Sequence, residues 1–273
     1  MRVEQIGRSL ASARVKRKLA SLPQDIDYSS LSSEDGYRLL HKVHQVLVCE
    51  EGWSVAGWKI GATGSKAQQQ LGITHPIFGP IYKHTVRTYK SEIETTSYSI
   101  SRDLVIRVET EYAFLIKRDI VPRKLAYSTE ELLERHCERT LLPCVEVGGS
   151  RVPSDLRSSL PLLIADTGNC GVVFPAPPYR PTPPYGSPSS ITKDGEMVAK
   201  TDMYGERPEN ALKWFVDTAV TGRTPLDPVS LRIGQVVLTG ATCGLVPVVS
   251  PCTIRARFPN AKGRSGFEIN FIE

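Results

Sequence analysis

From Trp53 onward the sequence breaks into short runs rich in Val, Ile, Thr and aromatic residues, each closed by turn-forming residues. The runs are 55–60, 98–116, 142–147, 171–174, 235–239, 252–258 and 267–272. Only two stretches of helical spacing, 128–139 and 208–221, interrupt them. Strands that lack a helix between each pair predict antiparallel or mixed sheets and disfavour a Rossmann arrangement. Before residue 50 the pattern is helical: Ser32 or Ser33 can cap a helix with Glu34 and Asp35 in its first turn and Tyr37, Leu40, His44 and Leu47 along one stripe. The predicted fold class is α+β, with helices over 1–50 followed by a β-rich mixed-sheet core in one domain spanning 1–273. Residues 175–190 hold seven of the 20 prolines and are expected to form an exposed loop insertion.

The 273 residues are 40% hydrophobic, which suits a folded chain with a sizeable core. No apolar run approaches the roughly 18 residues that a membrane helix needs, so no membrane role is expected. The formal charge of +5 traces mostly to Arg2, Arg8, Arg14, Lys16, Arg17 and Lys18. These are read as a solvated helix face, because no groove-reading motif supports a nucleic-acid partner. The same Arg- and Ser-containing start also fits a mitochondrial transit peptide, whereas Val3, Ile6, Leu10 and Ala13 fit an ordinary first helix. The six cysteines (Cys49, Cys137, Cys144, Cys170, Cys243 and Cys252) form no C-x-x-C pair, so reduced thiols and a cytoplasmic setting are expected.

The segment richest in chemistry is 105–116, VIRVETEYAFLI. In a strand, Val108, Thr110, Tyr112 and Phe114 share one face and Glu109 and Glu111 the other, their Cα atoms roughly 6.5–7 Å apart. Two such carboxylates repel unless something positive lies between them, either a hard divalent cation or Arg107. A solvated sheet face is the bland alternative. Glu146, alone among apolar residues in LPCVEV, adds a third carboxylate that needs a partner. Three carboxylates suit Mg²⁺ or Mn²⁺. Lys59, in GWKIG, sits between Trp58 and Ile60; burial would lower its pKa toward acid/base work, unless its stem snorkels past the sheet edge. The neighbouring GATGSK lacks the spacing of a phosphate loop, which excludes an NTPase.

The ordered runs GWKIGATGSKAQQQLGITHPIFGPIY, RVETEYAFLI, PCVEVGGSR, LIADTGNCGVV, ENALKWFVDTAVTGRTPL and IGQVVLTGATCG, with SLASAR in the first helix, together resemble the 2-keto-4-pentenoate hydratase / 2-oxo-3-hexenedioate decarboxylase family of the fumarylacetoacetate hydrolase superfamily. The resemblance covers nearly the whole chain apart from the proline-rich loop, and it draws the basic N-terminal helix into the fold. It implies a β-rich α+β domain, a homo-oligomer, and a short 2-keto or 2-hydroxydienoic acid as substrate. Glu109, Glu111 and Glu146 fall on the family's metal-binding carboxylates, and Lys59 on its active-site lysine. Leu71 and Thr239 fall in segments that border the pocket.

The departures bear on the reaction. Ile77 replaces the aspartate of the P-D-F-G stretch, Gly149 stands at another family aspartate, and Asn169, followed by Cys170, takes the place of a serine that holds the substrate carboxylate. The leading expectation is a metal-dependent hydratase in which the cation chelates the keto acid and stabilises an enolate while Lys59 moves protons. A decarboxylase is the runner-up, because an apolar Ile77 suits departing CO₂. A carbon–carbon hydrolase of acylpyruvates is a further alternative, weakened because His84 has no glutamate at helical spacing beside it. A non-catalytic subunit is the remaining reading. The four retained charged residues argue against it, since uncompensated buried charge serves no packing purpose.

Overall fold

The computed structural model describes residues 2–87, 95–99, 104–175, 189–201, 207–222, 229–258 and 265–273; most of the proline-rich loop, 176–188, lies outside the described residues. The first half holds α1 (Arg2–Lys16), α2 (Ser33–Gln45), β1 (Val55–Gly61), α3 (Ser65–Leu71), β2 (Ile77–Tyr82), β3 (Thr95–Ser99), β4 (Val105–Leu115) and the single turn α4 (Thr129–Glu131). The second holds β5 (Leu142–Ser150), α5 (Leu160–Ala165), β6 (Val172–Pro175), β7 (Ser189–Lys193), β8 (Glu196–Thr201), α6 (Pro208–Phe215), β9 (Val236–Ala241), β10 (Val246–Val248), β11 (Cys252–Phe258) and β12 (Ser265–Ile272).

Ser32, not Ser33, caps α2. Its Oγ accepts from the Asp35 N–H at 3.2 Å, while Asp35 Oδ2 accepts from the Ser32 N–H at 2.9 Å, a reciprocal box that satisfies two orphan donors. The stripes Ile6, Leu10 and Ala13 of α1 and Leu39, Val43 and Leu47 of the second helical segment bury against each other and against Leu162 and Ala165 of α5. The expectation that the basic residues of α1 are all solvated fails at Arg14. That side chain lies inward, 4% exposed, paired with the buried Asp166. An inward guanidinium is tolerated only because a carboxylate and several carbonyls receive it.

Among the described residues the strands form two mixed sheets. One has seven strands in the order β2-β1-β9-β4-β5-β6, with β10 beside β4; the other has five, β3-β12-β11-β7-β8. The pairs β1–β9 and β3–β12 are parallel and the rest antiparallel. Val108, Tyr112, Val145 and Val147 of the larger sheet share a core with Ile254, Phe258, Phe267 and Phe271 of the smaller. Tyr112 meets Phe258 edge-on at 5.4 Å. Trp58, Phe78 and Phe215 extend that core beneath α6.

The run 98–116, expected as one strand, divides between the sheets, because β3 pairs with β12 while β4 pairs with β5 and β9. The strand β2 was not anticipated, since Pro80 lies within it. Its position at the sheet edge resolves this, because a proline there removes no interior ladder bond.

At Gly57 a Cβ would lie 2.0 Å from the Val236 carbonyl oxygen, so glycine lets β1 approach β9. Gly57→Ala is expected to cost more than about 3 kcal/mol in urea unfolding, at the severe end for single substitutions. Gly52→Ala, where φ is +70° and nothing lies within 4 Å of the added Cβ, should cost only about 1–2 kcal/mol through backbone strain. Equal losses at the two positions would contradict the steric account.

Candidate active site

Strand register assembles the charged residues on one face. Glu109 lies directly opposite Glu146 across the β4–β5 pair, and Glu111 is two residues along from Glu109. Lys59 pairs with Leu238 of β9, which in turn pairs with Ala113 of β4, so its side chain emerges on that same face. An apolar cluster that includes Ile81, Ala113, Leu142, Cys144, Val173, Val236 and Leu238 surrounds them. The face is dry: Lys59 is 4% exposed, Glu109 6%, Glu111 1% and Glu146 0%.

Lys59 Nζ donates to Glu146 Oε1 at 2.9 Å and to the Gly168 carbonyl at 3.2 Å. Glu111 Oε2 accepts from the Gly240 N–H at 2.9 Å. Arg107 Nε stands 3.3 Å from Glu109 Oε1 but is not aligned for a hydrogen bond, so the anticipated arginine partner reaches one glutamate and only loosely. Glu111 Oε1 and Glu146 Oε2 are buried with no hydrogen-bond partner. Each is an acceptor short of a cation or donor.

Burial pushes the Glu109 carboxyl above its ordinary range, helped by Glu146 and opposed by Lys59 and Arg107. Burial likewise raises Glu111 well above 4.5, with Glu146 and Glu109 adding to the effect and Lys59 and the Gly240 amide opposing it. For Lys59, burial alone would lower the pKa, as the sequence suggested, but the charges of Glu146, Glu109 and Glu111 outweigh it and the net shift is upward. With its carboxylates uncompensated, Lys59 is a held ammonium, not a base.

The turn that meets Lys59 is unusual. Thr167, Gly168 and Asn169 all adopt left-handed backbone, with φ of 54°, 62° and 62°, a conformation costly for the two non-glycine residues. A buried clamp holds it. Arg14 Nη2 donates to Thr167 Oγ1 at 2.6 Å and to Asp166 Oδ1 at 3.1 Å, and its Nη1 donates to the Cys170 carbonyl at 2.9 Å. Arg151 Nε donates to Asp166 Oδ1 at 2.6 Å, and its Nη2 to the Cys170 carbonyl at 3.1 Å. Gly79, the residue opposite Lys59 on β2, has no side chain because a Cβ would lie 2.8 Å from Thr167 Cα.

The other sequence candidates divide. Asn169 is buried in the turn with Oδ1 unpartnered. Cys170 follows it, its thiol pushed up to about 12 by burial and by Glu146, and so unreactive near neutrality. Ile77 is buried and shares the Lys59 side of β2 by register, since it pairs with Gly61. The Thr239 hydroxyl donates to the Tyr112 carbonyl at 2.9 Å. Leu71 ends α3, half-buried, with no described contact to the charged group. Among the described residues no three His, Cys, Asp or Glu side chains converge closely enough, as they stand, to hold a metal.

Sequence reasoning did not find the Gly168 carbonyl or the Gly240 amide, because backbone groups carry no residue-type signal. It also passed over Arg14, Asp166 and Arg151 as a unit.

A carboxyl whose pKa is higher folded than unfolded binds protons on folding, so ionising it weakens the fold as pH rises from the ordinary 4.5 toward the raised value. After exhaustive chelation, the difference in unfolding free energy between wild type and Glu111→Gln should therefore grow with pH above 4.5, in favour of the variant. Parallel profiles from a urea series would contradict the unpaired-carboxylate account.

No family model matches the chain. A 2-hydroxypent-2,4-dienoate hydratase from Pseudomonas putida is 30% identical over 172 residues, covering 62% of this chain and 72% of that protein. A 2-keto-4-pentenoate hydratase from Paraburkholderia phymatum is 27% identical over 230 residues, 80% of this chain and 79% of the relative. Among solved structures, the 4-oxalocrotonate decarboxylase from Pseudomonas putida G7, complexed with magnesium and adipate, superposes with a TM-score of 0.80 at 16% identity, over 99% of this chain and 97% of that one. The hydratase relatives establish the kinship, and the chain belongs to the 2-keto-4-pentenoate (2-hydroxypent-2,4-dienoate) hydratase family, with the fold of the 4-oxalocrotonate decarboxylase.

Proposed function

We propose that this chain is a divalent-metal-dependent lyase that adds water to a short 2-hydroxydienoic acid. The observation that carries the reading is the Lys59–Glu146 pair on one dry face with Glu109 and Glu111, where two carboxylate oxygens lack partners. Hard oxygen donors of this kind suit Mg²⁺ or Mn²⁺, with Glu109, Glu111 and Glu146 as the ligands. The solved relative bound to magnesium and adipate, and the curated hydratase relatives, support this choice of cofactor and substrate class. Once bound, such a cation supplies Lewis-acid stabilisation of the negative charge that develops on a keto acid.

Lys59 does the proton work. Freed from three uncompensated carboxylates, its pKa is drawn downward by burial, so it can give a proton to the substrate carbon skeleton and recover one. The Gly168 carbonyl fixes the direction of the ammonium. Asn169, at the place of the family serine, faces the task of holding the substrate carboxylate.

Decarboxylation is the second reading, favoured by Ile77. Water addition needs a group to take a proton from water, and an isoleucine on the Lys59 side of β2 cannot do so. Losing CO₂ requires only the stabilised enolate and one proton returned to carbon.

Incubation with 2-hydroxypenta-2,4-dienoate and with 2-oxohex-3-enedioate, following dienol absorbance and released CO₂ together, separates the two readings. Dienol loss without CO₂ is expected, and CO₂ release from the second compound alone would establish decarboxylation. Chelation should abolish either activity. Lys59→Ala should slow solvent deuterium exchange beside the keto group by about 10²–10⁴-fold, and Lys59→Arg should not restore it, because a guanidinium stays protonated. Full exchange in Lys59→Ala would remove Lys59 from the mechanism.

A further inference from the structure

Behind the turn that contacts Lys59 lies a cavity of about 430 Å³, and its described lining includes Arg14, Arg17, Arg87 and Arg151. None of the residues that carry the proposed chemistry lines it. Among the described lining residues no side chain is acidic. Asp166 is bonded to both Arg14 and Arg151. No described carboxylate pairs with Arg17 or Arg87, and the buried pair Arg14 and Arg151 share Asp166 alone among the described carboxylates. Like charges gathered this way repel, and the repulsion grows where water is excluded.

Two details point to a missing partner. Arg14 is 5% exposed, yet its Nε has no hydrogen-bond partner. Burial and the adjacent Arg151 also pull the Arg14 pKa below its ordinary value, the mark of a cation short of negative charge. Thr96, Ser97 and Ser99 of β3 also border the cavity, and the Arg17 guanidinium lies 5.6 Å from the Tyr98 ring centroid. The volume is that of a small-molecule pocket. Arginine forks with no described acidic side chain in the lining are the chemistry that receives a compact oxyanion.

We propose that this cavity is a second, non-catalytic site that binds a small multivalent oxyanion, a dicarboxylate or a phosphate. Arg14 and Arg151 form its floor, and Arg17 and Arg87 its mouth. The inference does not rest on the lyase reading. Because Arg14 and Arg151 also clamp the 166–170 turn, an anion there would stiffen the support of the Gly168 carbonyl.

The test uses the whole chain with inorganic phosphate and, separately, succinate as probes. Each is titrated up to on the order of 10 mM, where even a millimolar binder is saturated. Saturable thermal stabilisation that weakens with added NaCl is expected, and whichever probe binds more tightly identifies the source class. Arg17→Ala and Arg87→Ala, both at exposed positions, should each weaken binding about tenfold. Lys18→Ala, an exposed cation outside the cavity, and Lys59→Met should leave it unchanged. No saturable stabilisation by either anion would overturn the proposal. Equal loss in Lys18→Ala would reduce it to general charge, and loss only in Lys59→Met would move the anion to the catalytic face. Arginine variants that alter the oligomeric mass but not anion affinity would make the cavity an interface between copies, and the proposal would fall.

Discussion

The fold of the candidate site depends on the buried ammonium–carboxylate contact between Lys59 and Glu146. Its two charges sit on a dry sheet face with two further carboxylates, so one cation stands against three potential anions. Such an arrangement is poorly suited to stability, since desolvating ions is costly and the attraction within the group is incomplete. It is well suited to binding a divalent cation and to exchanging a proton. The apolar residues around the group strengthen the charge interactions within it and so the sensitivity of Lys59 to the glutamates.

The rest of the fold holds this face in register. Glycine at 57 lets β1 lie against β9, and glycine at 79 lets the 166–170 turn descend onto β2 opposite Lys59. That turn persists in left-handed backbone because Arg14, from the first helix, and Arg151, from the end of β5, grip Asp166 and the Cys170 carbonyl. The N-terminal helix is therefore part of the site's support, although none of its residues touches Lys59 or the three glutamates. Strain of this kind survives only where the surroundings over-determine it, and here two guanidinium groups do so.

Much of this was legible in the sequence because it follows from the period-2 geometry of strands. Glu109 and Glu111 had to share a face, and Glu146 and Lys59 stood out as charges in apolar runs. Ser32 with Asp35 announced the start of α2. Other features were hidden for physical reasons. Pairing partners between distant strands leave no local signal, so the split of 98–116 and the edge strand β2 were missed. Arg14 read as surface because it stands in a basic stretch of the chain with Lys16, Arg17 and Lys18; its place above Leu10 and Ala11 on the buried face of α1 is tolerated only because Asp166, far along the chain, meets it. The upward pull of the glutamates on the Lys59 pKa was hidden for the same reason: one sequence window shows the apolar neighbours, whose burial lowers it, but not the carboxylates folded over them.

The central claim is that the three glutamates hold Lys59 protonated until a divalent cation compensates them. It is tested most directly by following the Lys59 side-chain NMR resonance through a pH titration, with and without saturating Mg²⁺, assigned by its loss in Lys59→Met. The account predicts no titration through the neutral range in the chelated protein, and a midpoint shifted clearly downward when Mg²⁺ is present. An identical titration in both conditions would contradict it.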